Sequence, residues 1–284
     1  MNLSYETYVL TLEGSTRSQQ LLSQGKELGL TLNLCLGIKG QVFSDDEFKK
    51  MAPGRQAEFL LGRSIGRNEL ACIFGHIEIY RKFLENSRAA WCLVLEDDAK
   101  INPELLSFLM SNSEFPKNSI IHLSPQPYLP NIVLRTKAFK DTKISTKINQ
   151  VLDFVPRTHG YLIDRAAART ALEISQRDTY YFTADWPLNW IREVDFWVTS
   201  ETLVDTLEAE LGSDISRERI QIEKSRRREP FMRFLSRIRI LNWVFNGLGI
   251  TAIYGKILGI PFKVTFQEFF LMPLRRKWYK SLVK

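Results

Sequence analysis

Trp91-Cys92-Leu93-Val94-Leu95-Glu96-Asp97-Asp98 is an apolar run of strand length that ends abruptly in three carboxylates. A continuous apolar segment bounded by polar residues reads as a buried strand of a parallel sheet, and open α/β sheets bind ligands where such strands end. The acids are therefore expected at a cleft. Side chains alternate along a strand, so Glu96 and Asp98 share one face and Asp97 the other, unless the chain already turns there. Such a group offers one or two hard oxygen ligands to Mg²⁺ or Mn²⁺, whose other positions go to phosphate oxygens and water. A solvated acidic turn after a strand accounts for the same residues equally well.

Upstream of this run, the spacing of Leu70, Ile73, Phe74, Ile77, Tyr80 and Leu84 predicts a helix over 64–85. Glu69, Cys72, His76 and Tyr80 fall on adjacent turns of one side of it. A histidine so placed is more often a satisfied structural residue than a ligand. Residues 6–12 are β-branched and apolar, and a polar loop, Glu13 to Arg17, and a helical pattern through Leu21, Leu22 and Leu28 follow. Strand, loop and helix in that order begin an α/β fold. Arg17 either reaches a base or phosphate or is solvated in the first turn of the helix. Leu32 to Ile38 reads as a second strand. Residues 41–60 read as a surface connection with a short helix, punctuated by Pro53-Gly54.

Downstream, a polar helix is expected from Pro103, a short strand at Ile120-Ile121-His122-Leu123, and an irregular connection at Ser124-Pro125-Gln126-Pro127. Residues 131–150 lack clear periodicity and suit a hairpin. Asp164 is placed to cap a helix rich in small residues, Ala166 to Ala168 and Ala171. Asp185 sits among Tyr180, Tyr181, Phe182, Trp186 and Trp190. A carboxylate there is costly to bury unless it binds something, although an N-cap before Pro187 gives the same pattern.

Four segments in register resemble the successive signatures of glycosyltransferase family 25. They are Gly66-Arg67-Asn68-Glu69-Leu70-Ala71-Cys72-Ile73-Phe74-Gly75-His76, Val94-Leu95-Glu96-Asp97-Asp98-Ala99, Thr158-His159-Gly160-Tyr161-Leu162-Ile163 and Ala184-Asp185-Trp186-Pro187-Leu188. The likeness runs from residue 6 to about 220 and takes in the Arg17 loop and Ser213-Asp214-Ile215. It implies an α/β, GT-A-like nucleotide-sugar-binding fold and inversion at the anomeric carbon. It also implies a UDP-sugar donor, most often UDP-galactose, and a lipopolysaccharide or lipooligosaccharide acceptor.

By this resemblance Asp98 and Glu96 are the metal ligands, for Mn²⁺ or Mg²⁺, and Asp185 is the first choice of catalytic base, with Asp98 and Asp195 behind it. Arg17, Glu69, His76, Glu96, Asp97 and His159 are the candidate donor-site residues, with packing roles still open for Glu69, His76 and His159. The chain departs from the pattern at Asn68, where the family commonly has Gly, and at Gly75, where it commonly has Ser. Neither change removes a titrating group.

Charge divides the 284 residues unevenly. Residues 226–284 hold 13 Lys/Arg and 2 Asp/Glu, a net of +11, against 26 and 30, a net of −4, in residues 1–225. An acidic catalytic domain, 1–225, and a basic, aromatic C-terminal extension, 226–284, are implied. Within the extension the apolar part from Ile240 to Gly255 is shorter than the roughly 20 residues a spanning helix needs. Its arginines, with Trp243, Phe245, Tyr254, Trp278 and Tyr279, suit an anionic membrane surface. No nucleic-acid motif or basic stripe marks the body. The expected location is cytoplasmic, peripheral on the inner face of the membrane, since the first residues lack a signal-peptide pattern. Cys35, Cys72 and Cys92 show no paired spacing and suggest neither disulfides nor a zinc site. The alternative reading of the whole is a catalytically inactive glycosyltransferase-like scaffold.

Overall fold

All residues from Trp91 to Leu95 are buried, and their side chains feed two different hydrophobic clusters in alternation. That double burial is why the strand reads as continuously apolar. The computed structural model describes residues 4–52, 65–111, 115–124, 144–148, 158–177, 193–207 and 212–226. In chain order these form β1 (Tyr5–Leu12), α1 (Arg17–Glu27), β2 (Leu32–Gly37), a 3-10 turn (Gly40–Val42), α2 (Asp45–Met51), α3 (Arg67–Asn86), β3 (Trp91–Glu96) and β4 (Ala99–Ile101). There follow α4 (Glu104–Ser111), β5 (Ser119–His122), β6 (Ile144–Ile148), β7 (Gly160–Asp164), α5 (Arg165–Arg177), β8 (Asp195–Thr199), β9 (Val204–Thr206) and α6 (Asp214–Arg226).

The main sheet has the order β2-β1-β3-β7-β5-β8-β6. Strands β1, β2, β3, β5 and β8 run one way, whereas β7 and β6 run against them. The parallel sheet expected from β3 is thus a mixed one: β3 pairs parallel with β1 and antiparallel with β7. Burial on both faces leaves the same apolar signature whichever way the neighbouring strand runs, so composition alone does not fix its direction.

One face of the sheet carries α3 and α5, packed through Leu70, Ile73, Ile77, Tyr80 and Ala167 onto Cys92, Val94 and Ile163. The other carries α1 and α4, packed through Leu21, Leu105 and Phe108 onto Val9, Leu93 and Leu95. Asp164 caps α5, its Oδ1 accepting from the Ala167 amide at 2.6 Å, while Oδ2 accepts from the Asn118 amide at 2.6 Å. Among the described residues, no helix is long and apolar enough to cross a membrane. Asp185, most of the 131–150 segment and residues 227–284 lie outside the described residues.

Gly75 lies in the middle of α3, where glycine costs about 1 kcal/mol relative to alanine. Close approach explains it: a Cβ built there would lie 2.6 Å from Leu10 Cδ1 of β1. Leu10 fills the place a serine side chain would take. Gly75→Ser is expected to destabilise the fold by about 1 kcal/mol at most, because the obstacle is the movable end of the Leu10 side chain and a non-glycine residue favours the helix, and Leu10→Ala in the same chain to remove the clash. Urea unfolding of the two single variants and the double variant measures this; additive losses would mean that the two positions do not compete for space.

Candidate active site

Because β1, β2 and β3 run parallel, their carboxyl ends meet on one edge of the sheet, and a cleft of about 910 Å³ opens there. Leu10 to Ser15 and Arg17 line it from the β1 end, and Gly37 to Lys39 from the β2 end. Glu96 to Asp98 line it after β3, Asn68, Ala71 and Cys72 from α3, and Ser213 to Asp214 with Gln221 from α6. The acidic run therefore does stand at a cleft.

The chain turns immediately after Glu96, so strand alternation no longer governs the acids, and each points by its own partners. Asp97 Oδ2 accepts from the hydroxyls of Thr11 at 2.9 Å and Ser15 at 2.8 Å, which ties the loop after β1 to the turn after β3. Glu96 Oε1 lies 3.2 Å from His76 Nε2 and accepts a short hydrogen bond from the Thr158 hydroxyl. Burial opposes ionisation of Glu96. The hydrogen bond and charge of His76, the Thr158 hydroxyl and the charge of His159 outweigh it and hold the carboxyl below the usual glutamate value. Asp98 also lines the cleft, and its backbone carbonyl accepts from the Leu207 amide at 2.7 Å. Together the three acids offer only hard oxygen donors at an open cleft, a set that suits Mg²⁺ or Mn²⁺.

Behind Glu96 runs a buried polar chain. His76 Nδ1 is 2.8 Å from Tyr161 Oη, which is 2.7 Å from Tyr80 Oη. Burial pushes both phenols well above the usual tyrosine value, so they remain protonated. The histidine expected on the α3 face is thus buried but joined directly to a cleft acid.

Arg17 lines the cleft, and its Nη2 donates to the Gly212 carbonyl at 2.8 Å, just before α6. Helix α6 itself is fastened to the start of α3. Glu218 accepts from the backbone amides of Arg67 at 2.8 Å and Asn68 at 2.9 Å, amides that have no partner within the helix. A carboxylate there also meets the positive end of the helix dipole. Next to it, Arg219 donates to Glu69 Oε1 through Nε at 3.2 Å and Nη2 at 2.6 Å.

Glu69 is fully buried and is absent from the cleft lining, so its bearing on the site runs through Arg219 and the wall that α6 forms. His159 is buried as well, with Nε2 3.2 Å from the Val204 carbonyl, and is likewise not part of the lining. Asp195 opens β8, which runs in the same direction as β3, so it lies at the opposite end of the sheet from Glu96. A strand length of about 17 Å separates those two edges. Asp195 is therefore withdrawn as a candidate base.

Thr11, Ser15, Lys39 and Glu218 join the site only in three dimensions. Glu69 did carry a signal for its partner: a carboxylate on the core side of an apolar helix calls for a cation.

The family model for glycosyltransferase family 25 (LPS biosynthesis protein) matches residues 4–185. Among solved structures, the chain is similar to that titled "Crystal structure of a glycosyltransferase involved in the glycosylation of the major capsid of PBCV-1". The identity is 10%, coverage is 78% of this chain and 99% of the other, and the TM-score is 0.33. No curated protein sequence matches the chain.

Proposed function

The chain belongs to glycosyltransferase family 25, and from that premise we propose that it is an inverting transferase of GT-A-like fold that moves galactose from UDP-galactose onto a lipopolysaccharide or lipooligosaccharide acceptor. Membership makes glycosyl transfer in LPS biosynthesis its role; the sugar, the stereochemistry and the acceptor are our reading. The observation that carries it is the convergence of Glu96, Asp97 and Asp98 with Arg17 and Lys39 in one cleft. Its volume falls within the range of small-ligand sites, roughly 300–1,000 Å³.

In this mechanism Asp98 and Glu96 hold Mn²⁺ or Mg²⁺, which when bound neutralises charge on the departing diphosphate. Arg17, held by the Gly212 carbonyl, and Lys39 would offer their positive charges to the same diphosphate. Asp97, held by Thr11 and Ser15, keeps the loops on either side of the donor in register. His76 orients the Glu96 carboxylate and is itself oriented by Tyr161. The acceptor hydroxyl attacks the anomeric carbon on the face away from UDP, and Asp185 takes its proton.

Turnover of a UDP-sugar panel with Mn²⁺ and then with EDTA tests the reading. Hydrolysis of one donor that stops with chelator is expected. Turnover of none, with no nucleotide binding by calorimetry, would favour the scaffold. Asp185→Asn should slow transfer by about 10²-fold while calorimetric donor affinity stays; loss of donor binding instead would remove Asp185 from the role of base. The basic tail is proposed to hold the enzyme on the anionic inner face of the membrane. Deleting residues 226–284 should abolish sedimentation with anionic vesicles, and retention by the truncated protein would end that idea.

A further inference from the structure

Three side chains with metal-ligand chemistry that the transfer mechanism does not need as a set meet at the cleft floor: Cys72, His76 and Glu96. Their Sγ, ring nitrogen and carboxylate oxygen all lie within 4.8 Å of one another. Cys72 and His76 stand one turn apart on α3, four residues being the spacing that puts two side chains on the same face of a helix. Glu96 reaches them from the end of β3.

We propose that these three residues form a binding site for a borderline divalent cation of the Zn²⁺ type, which shares Glu96 with the oxygen-only Mg²⁺ or Mn²⁺ site of Asp98 and draws its softer donors from Cys72 and His76. A thiolate, an imidazole and a carboxylate make a donor set for zinc or cobalt rather than for magnesium or manganese. In a tetrahedral zinc site with bonds of about 2.0–2.1 Å, nitrogen and oxygen ligands stand about 3.3 Å apart. His76 Nε2 and Glu96 Oε1 are 3.2 Å apart. With all three atoms within 4.8 Å, bringing the sulfur to the roughly 3.6 Å separation of a tetrahedral site takes a movement of at most about 1 Å.

The surrounding contacts also fit. A metal-bound imidazole keeps a hydrogen on its other nitrogen and donates it to a fixed acceptor. Tyr161 Oη, 2.8 Å from Nδ1, is placed to accept it, and the Thr158 hydroxyl holds the carboxylate. Cys72 and Glu96 both line the cleft, which gives an ion its entry route and leaves its fourth position to water. Binding releases the Cys72 thiol proton to solvent. Cys35 and Cys92 are fully buried and contribute nothing to the cluster.

The site needs only these three side chains and stands whether or not the chain transfers sugar. Titrating the full-length protein with Co²⁺ should give a near-ultraviolet thiolate-to-cobalt charge-transfer band that saturates at one ion per chain and is displaced by Zn²⁺. Cys72→Ser should abolish the band, and Tyr161→Phe should weaken affinity by about 10-fold. Asp98→Asn should leave it in place; its loss in that variant would assign the ion to the acid motif and overturn the proposal. In the unaltered protein Zn²⁺ should protect Cys72 from iodoacetamide, followed by peptide mass spectrometry. Equal alkylation with and without Zn²⁺, or no charge-transfer band, would also overturn it, with no reference to transferase activity.

Discussion

Asp98→Asn is expected to lower sugar transfer on the order of 10³-fold, the several kcal/mol that a metal contributes to stabilising a leaving diphosphate. Asparagine keeps the size and one oxygen of the aspartate and removes the charge. The backbone at this position is fixed independently, since the Asp98 carbonyl accepts from Leu207 and the next residue begins β4, paired with β9. The substitution therefore changes the electrostatics of the cleft and leaves its frame alone. Calorimetric titration of UDP with Mn²⁺ and with EDTA separates the two contributions. The unaltered protein should bind more tightly with Mn²⁺ and the variant equally in both. A variant whose binding still responds to Mn²⁺ would show that Asp98 is not the ligand that matters.

Arg219→Met should have the largest effect on stability, about 3 kcal/mol. Glu69 has no exposed surface, so removing its guanidinium partner leaves a charge buried in the apolar side of α3. The low end of the range expected for a broken buried pair applies, because Arg219 is about one-third exposed. Glu69→Gln combined with Arg219→Met should recover most of the loss, since no lone charge remains. Urea unfolding of the single and double variants checks this. A single-variant loss below about 1 kcal/mol would put the pair among ordinary surface ion pairs. The effect should reach the cleft: Glu218, the neighbour of Arg219, caps α3, and α6 is one of the cleft walls. Weaker nucleotide affinity is thus expected alongside lower stability.

The strand and helix readings that succeeded share a physical cause. At β1, β3, α1 and α3, local hydrophobic periodicity and burial agree, so the pattern along the chain is also the pattern in space, whereas β2, at the edge of the sheet, leaves Leu34 and Leu36 exposed. Among the short strands, the four apolar-rich residues of β5 still gave a signal, and the others did not. Three-residue β4 and β9 are too brief for alternation to register, and β7 had to be distinguished from the start of the helix that follows it. The turn at Asp97 fell where the apolar run stops, a place at which sequence shows an ending but not a direction.

By itself the sequence determined that a doubly buried strand ends in carboxylates, that an apolar helix carries Glu69, Cys72 and His76 on one side, and that four motifs follow in the order of family 25. Those are properties of neighbouring residues, and neighbours are what local propensity and periodicity report. Only the tertiary structure decided which way each acid points, that Asp195 is at the far edge of the sheet, that Arg219 answers Glu69 across 150 residues, and that Cys72, His76 and Glu96 converge. Each of these depends on strand direction and on long-range packing, where partners are chosen by the shape of the closed chain and carry no periodic trace along it.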